Sequence, residues 1–257
     1  MGLWDLFDKE KRKERALEKA IARITNPYMQ GPERMKAVDT LLEIGTDDAI
    51  YGLLKRFTIR ASNGVVDEEE KEQVYAVVIG LGTQAVPALR RFIQKDDQIY
   101  HALRALSAIL PEEQVITNVG ETLELLGTDY MRNPERKLHL IQHLAELRGP
   151  RVVALLLPFL RDHDEGVRFQ TVNALHEQAD EVAREPLLEL LCSPDEESVR
   201  LRKRIVEVLA ERGWGVQGYR KKVEERLPKG YAIDKAGLIK ERGTKIEPAA
   251  TEADDDD

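Results

Sequence analysis

Apolar residues recur along this chain at three- and four-residue spacing, in short segments each closed by glycine, proline or a polar turn. That is the pattern of amphipathic helices, not of strands. In PERMKAVDTLLEIG the apolar stripe is Met35, Val38, Leu41 and Leu42, with Pro at the first turn and Gly where the helix should stop. PERKLHLIQHLAELRG repeats it with Leu138, Ile141, Leu144 and Ala145. Each is followed by a second apolar-periodic segment, AIYGLLKRF from Ala49 and VVALLLPFLRD from Val152. The unit is helix, turn, helix. On this spacing Ile141 faces a core, whereas His143 falls on the polar face and should be dispensable for stability.

The two copies begin alike, YMQGPER at Tyr28–Arg34 and YMRNPER at Tyr130–Arg136, 102 residues apart. Between them VYAVVIGLG leads into TQAVPALRRFI, and YHALRALSAIL into EEQVITNVGETLELLG. Downstream come VRFQTVNALHEQ with EVAREPLLELLC, then VRLRKRIVEVLAERG. First helices beginning near 33, 71, 98, 135, 165 and 197 give a mean interval near 33 residues, so the echo spans three units. A helix pair this short cannot bury its apolar face alone, but stacked pairs share a continuous core, which predicts an all-α solenoid of five to six repeats over residues 31–227. SNGVVDEEE, Ser62–Glu70, reads as a loop interrupting the array, with a turn signal at Asn63-Gly64. Residues 1–30 read as an N-terminal capping helix whose apolar cluster is Leu3, Trp4, Leu6 and Phe7. Residues 228–243 hold a turn at Asp234–Gly237 between two β-prone runs, a small hairpin; residues 244–257 read as a disordered acidic tail.

IGTDDAIYGLLKRF, LGTQAVPALRRFI and LRGPRVVALLLPFL resemble the joints of HEAT and phycobiliprotein-lyase-type HEAT-like repeats, where a Gly turn leads into an outer helix. LRDHDEGVRFQTVNAL adds the Asp-rich turn before a Val-Arg helix start, and SPDEESVRLR repeats it with one extra residue. Pro87, Pro158 and Pro186 fall in or near outer helices, where such repeats tolerate a kink. The resemblance implies an ARM-type superhelix that binds elongated partners along its concave face. It also implies that Asp162, Asp164, Arg168, Asp195 and Arg200 bond across neighbouring repeats. The polar positions of the inner helices, Arg104, Arg136, His139, His143 and Gln170 with Arg202 and Lys203, are then the expected partner-facing residues.

Composition changes this picture little. The chain is 42% hydrophobic, and its net charge of −8 includes −5 in residues 244–257, so the body lacks the basic footprint of a general nucleic-acid binder. Arg200, Arg202, Lys203, Arg204, Arg220, Lys221 and Lys222 could meet phosphates, but Glu196, Glu197, Glu207, Glu224 and Glu225 interleave them. No apolar run is long enough to span a membrane, and MGLWDLFDKEKRKER orders its charges opposite to a secretory signal, so a cytoplasmic protein is expected. The single Cys192 reads as a small buried hydrophobe. His139 and His143, spaced i and i+4 after Glu135, could share a metal, yet no further ligand stands near and no metal is expected. His176-Glu177 is one His-Glu pair where the iron site of deoxyhypusine hydroxylases needs several; nothing selects a bilin either. No nucleophile elbow or phosphate loop is present. The expected function is a non-catalytic protein scaffold without cofactor, with nucleic-acid binding or enzymatic activity as the alternatives.

Overall fold

A computed structural model describes the chain over residues 3–242, with side chains from residue 10 onward. The apolar cluster Leu3, Trp4, Leu6 and Phe7 and the acidic tail 244–257 therefore lie outside what is described. Among the described residues the fold is an all-α array of helix pairs with one two-stranded sheet. No single described helix is long and apolar enough to cross a membrane. The chain divides into two compact units, Met1–Leu155 and Leu156–Asp257.

In the first unit α1 (Leu3–Ile24) packs on α2 (Gly31–Ile44) and α3 (Asp47–Leu54). The pairs continue with α4 (Gly64–Gly80) and α5 (Val86–Lys95), α6 (Tyr100–Ile109) and α7 (Glu112–Leu126), then α8 (Glu135–Glu146) and α9 (Pro150–Leu156). Leading helices touch leading helices, α2 against α4 and α4 against α6, while α3 packs on α5 and α5 on α7. Apolar positions at helical spacing fill the space between the two rows: Val38 and Leu41, Val74 and Val78, Leu89 and Phe92, Leu103 and Leu106 are all buried. Caps set the register. Thr46 Oγ1 accepts the amide of Ala49 at 3.2 Å, and Gly45 takes φ +63° to end α2.

Ser62–Glu70 is not a loop. Asn63 caps α4, its Oδ1 accepting the amides of Val65 at 3.0 Å and Val66 at 3.3 Å. The acidic run DEEE then lies on a helix, where three-residue spacing turns Asp67 and Glu70 inward and leaves Glu68 and Glu69 in solvent. The inward pair meets two buried arginines. Arg56 reaches Asp67 Oδ1 at 2.7 Å and Glu70 Oε2 at 3.0 Å; Arg34 grips both Glu70 oxygens at 2.8 Å. Lys71 Nζ stands 2.6 Å from the second Asp67 oxygen, and the Ala61 amide donates to the first at 2.8 Å. Gly31 is part of this arrangement, because a Cβ there would come within 2.6 Å of Glu70 Oε1. Asn133, which answers Gly31 in the sequence echo, instead uses its side chain, donating from Nδ2 to Asp97 Oδ2 at 3.2 Å.

Burial alone would raise both carboxyl groups. For Asp67 the Ala61 amide, Lys71 and Arg56 outweigh it and bring the pKa to about 2; for Glu70 the bonds from Arg34 and Arg56 hold it below the usual value.

In the second unit a 3-10 turn, Leu157–Arg161, packs on α10 (Glu165–Gln178), followed by α11 (Arg184–Cys192), α12 (Val199–Glu211) and α13 (Arg220–Arg226). The C-terminal hairpin is present: β1 (Tyr231–Ile233) runs antiparallel to β2 (Ile239–Glu241), with Ile233 opposite Ile239. Gly237 takes φ +83° in its turn, Ile239 is buried on the side of α12, and Arg220 donates to the carbonyls of Asp234 at 3.0 Å and Ile233 at 3.4 Å. Cys192 is half-buried, not buried, and burial raises its thiol pKa.

Glu70→Ala strands two buried guanidinium groups and should destabilise the first unit by about 3–5 kcal/mol in urea denaturation, whereas Glu68→Ala on the exposed side of the same helix should stay within about 0.5 kcal/mol. Because Asp67 and Glu70 titrate lower folded than unfolded, their stabilisation is complete above the ordinary carboxylate range. It should be lost as pH falls from about 4 toward 2, and Glu70→Gln should flatten that acid limb.

Candidate interaction surface

The joints ahead of α2, α8, α10 and α12 share one device. A basic residue in the first turn of the leading helix folds back onto carbonyl groups of the loop that delivers it. Arg34 donates to the carbonyls of Met29 and Asn26, and Lys137 to that of Asp129 at 2.9 Å. Arg168 donates to Asp162 O at 2.9 Å and His163 O at 3.1 Å, and Arg202 to Glu196 O at 2.7 Å. Lys137 is fully buried, at 0% exposure. Pro134 caps α8 but Pro32 lies inside α2, so the buried cation moves by one residue, from Arg34 to Lys137, while the sequence echo aligns Arg34 with Arg136.

The geometry corrects the register assigned to SPDEESVRLR. Asp164 caps α10, accepting the Val167 amide at 3.1 Å; Ser198 caps α12, accepting the Leu201 amide at 3.1 Å. Two residues before each cap, a buried carboxylate accepts the cap's own amide at 2.8 Å: Asp162 in one joint, Glu196 in the other. Four residues after each cap stand Arg168 and Arg202. The counterpart of Arg168 is thus Arg202, not Arg200, and the counterpart of Asp162 is Glu196, not Asp195. Glu196 also receives Arg168 at 2.8 Å, linking the two joints. Asp195 is exposed, with its amide on Ser193 Oγ at 3.2 Å, whereas Arg200 does bond across neighbouring repeats as expected, pairing with Glu165 of α10 at 2.6 Å above the Phe169 ring.

Most residues expected to face a partner are engaged between helices. Arg104 bonds Glu72 at 2.7 Å and covers the Tyr75 ring at 4.3 Å. Arg136 donates to the Gln94 carbonyl, and the His139 ring stands 3.3 Å from the Asp97 carbonyl. His143 is not on an exposed face: it is 9% exposed, with Nε2 2.8 Å from Ser107 Oγ on α6. The two imidazoles of HLIQH therefore meet different neighbours. His176 accepts from Arg212 Nε at 3.2 Å and lies 3.3 Å from a Glu211 oxygen. Burial lowers the pKa of His101, His143 and His176, and for His176 the nearby Arg212 and Arg204 lower it further. Gln170 is half-buried, and Lys203 is exposed, 3.6 Å from Glu207.

The large apolar side chains most exposed at the leading helices are mainly aromatic. In the first unit Tyr28 is 93% exposed, Val65 and Tyr130 70% and Tyr100 55%, and they sit at or just before the starts of α2, α4, α8 and α6 respectively. One large exposed side chain thus stands at, or a few residues before, the start of each leading helix of the first unit. A signal for it was present in the sequence, since the echo keeps its tyrosine along with PER. Helix initiation accounts for PER, and no core position accounts for the tyrosine.

Residues 121–210 match the family model for HEAT repeats. Human deoxyhypusine hydroxylase, solved in complex with glycerol, is similar at 15% identity over 85% of this chain and 95% of that chain, with a TM-score of 0.30. A likeness of that size carries neither activity nor cofactor to this chain. The search of curated proteins gives no match.

Glu196→Ala should cost about 2–4 kcal/mol, since it leaves a part-buried guanidinium and a cap amide unsatisfied, whereas Asp195→Ala should be neutral within about 0.5 kcal/mol; chemical denaturation of the two variants checks the register. His143→Ala should cost about 1–3 kcal/mol. A histidine held neutral when folded takes up its proton more readily unfolded, so stability should fall as pH drops below about 6.5, and His143→Gln should reduce that slope in melts between pH 7.5 and 5.

Proposed function

We propose that this chain is a non-catalytic cytoplasmic scaffold that binds a protein partner along the exposed aromatic edge of its first unit. The observation that carries the reading is the row formed by Tyr28, Val65, Tyr100 and Tyr130 at successive leading helices. Tyrosine offers large contact area with little rotamer entropy to lose, which is why it is enriched where interfaces concentrate their energy. Stacked repeats present such side chains in succession, and that suits an elongated protein partner. The non-catalytic reading draws support from the candidate chemistry: His139, His143, Arg104, Arg136 and Arg202 are occupied in joints between helices.

The test is comparative capture from native cytoplasm. The intact chain should retain one partner in stoichiometric amount, and a Tyr28→Ser, Tyr100→Ser, Tyr130→Ser variant should lose at least about tenfold of it with helical content and Tm unchanged. Leu125→Ser, at an equally exposed apolar residue on α7, is the control and should retain it. Equal capture by the triple variant would remove the edge as the interface.

A further inference from the structure

Charge is distributed unevenly along the chain. Residues 220–242, α13 and the hairpin, hold eight Lys and Arg against four Asp and Glu, a net +4 in a chain of net −8. Immediately after them residues 243–257 carry −5. The positive module is anchored through few contacts: Val223 and Ile239 are buried, and Arg220 serves the hairpin carbonyls and Glu224. Its other cations have no such employment. Lys221, Lys222, Lys229, Lys235, Lys240 and Arg242 are all exposed, and none forms an ion pair among the described residues. α13, which carries Lys222 and Arg226 one helical turn apart, packs on α11. In the joints, by contrast, buried cations are matched to carboxylates or carbonyls. A small module with unmatched positive charge repels itself and attracts an anion.

We infer that the α13–hairpin module is a docking surface for an acidic segment, and that its occupant in the isolated chain is the chain's own EPAATEADDDD, residues 247–257. Charge complementarity is the first argument, +4 on the module against −6 on that segment. Tethering is the second: the segment follows Arg242 after four residues, and fifteen residues reach at most about 50 Å, so it samples the module at a local concentration of order millimolar. The segment has no apolar residue larger than proline to insert, so the contact is electrostatic and salt-sensitive. An acidic partner approaching the same cations has to displace it. This surface is separate from the tyrosine edge, and its fate does not depend on that proposal.

The test uses a fluorescent acetylated peptide, EPAATEADDDD, titrated into the intact chain and into a chain ending at Ile246. At 20 mM salt the shortened chain should bind the peptide, the intact chain about tenfold more weakly because its own segment competes, and 300 mM salt should abolish both. Lys221→Gln, Lys222→Gln, Lys229→Gln and Lys240→Gln together in the shortened chain should weaken binding about tenfold with Tm unchanged. Equal binding by intact and shortened chains, no binding by the shortened chain, or indifference to the four Gln substitutions would each overturn the inference. Low-salt dimers of the intact chain that vanish on shortening would assign the surface to a second copy instead. Binding of a single-stranded oligonucleotide where the peptide fails would assign it to nucleic acid.

Discussion

The cation in the first turn of a leading helix, buried at Arg34 and Lys137 and part-buried at Arg168 and Arg202, is the interaction on which four of the joints depend. Stacking helix pairs presses the loops between them against protein, and loop carbonyl groups cut off from water have to be satisfied from within. Helix N–H groups do not do this, because those of the first turn point along the axis to the caps and the rest are committed along the helix. A long basic side chain can, since its donors reach back five to eight residues while its stem fills space against the neighbouring pair. Arginine offers several donors at once, which is how Arg168 serves two carbonyls and the Glu196 carboxylate together.

A buried cation in turn requires an anion, and the source of that anion differs between joints. Arg34 takes Glu70 from the next leading helix, and Arg56 joins it from the end of α3. Arg168 takes Glu196 from the loop ahead of α12. In both, an acid of one pair holds a base of the pair before it, so the charges fix which pair stacks on which and in what register. Replacing such clusters by hydrocarbon would cost little stability. It would remove the discrimination, which apolar stripes of similar width do not supply by themselves.

This explains which parts of the fold were legible in the sequence. Apolar spacing depends on local helical geometry, so Leu41, Ile141 and Leu144 declared their buried face without knowledge of any neighbour. The Asp234–Gly237 turn was equally local. The course of DEEE was not, because nothing nearby distinguishes acids that meet Arg34 and Arg56 from acids that meet water. His143 was misplaced for a related reason: its burial is imposed by Ser107 on another helix, 36 residues away. The register of SPDEESVRLR failed because the eye aligned Val-Arg with Val-Arg, whereas the cap residue, Asp164 or Ser198, is what sets the geometry of the joint.

The same physics bears on where function should be sought in such an array. Polar and ionisable residues on the leading helices attract attention because they are the usual carriers of chemistry and recognition. In a stacked fold they are also what joints consume, and Arg104, Arg136, His139, His143 and Arg202 all lie in such contacts. A side chain already matched inside the protein has to break that match before it can bind anything else, at a cost comparable with what a new contact returns. Residues left outside the joints carry no such debt. The exposed lysines of α13 and the hairpin are of this kind, and the tyrosines at the helix starts keep most of their surface in solvent. They were the harder positions to read from sequence, because an exposed aromatic resembles a core residue and an unpaired lysine resembles ordinary surface. Their exposure becomes visible only once the packing of the neighbouring helices is known.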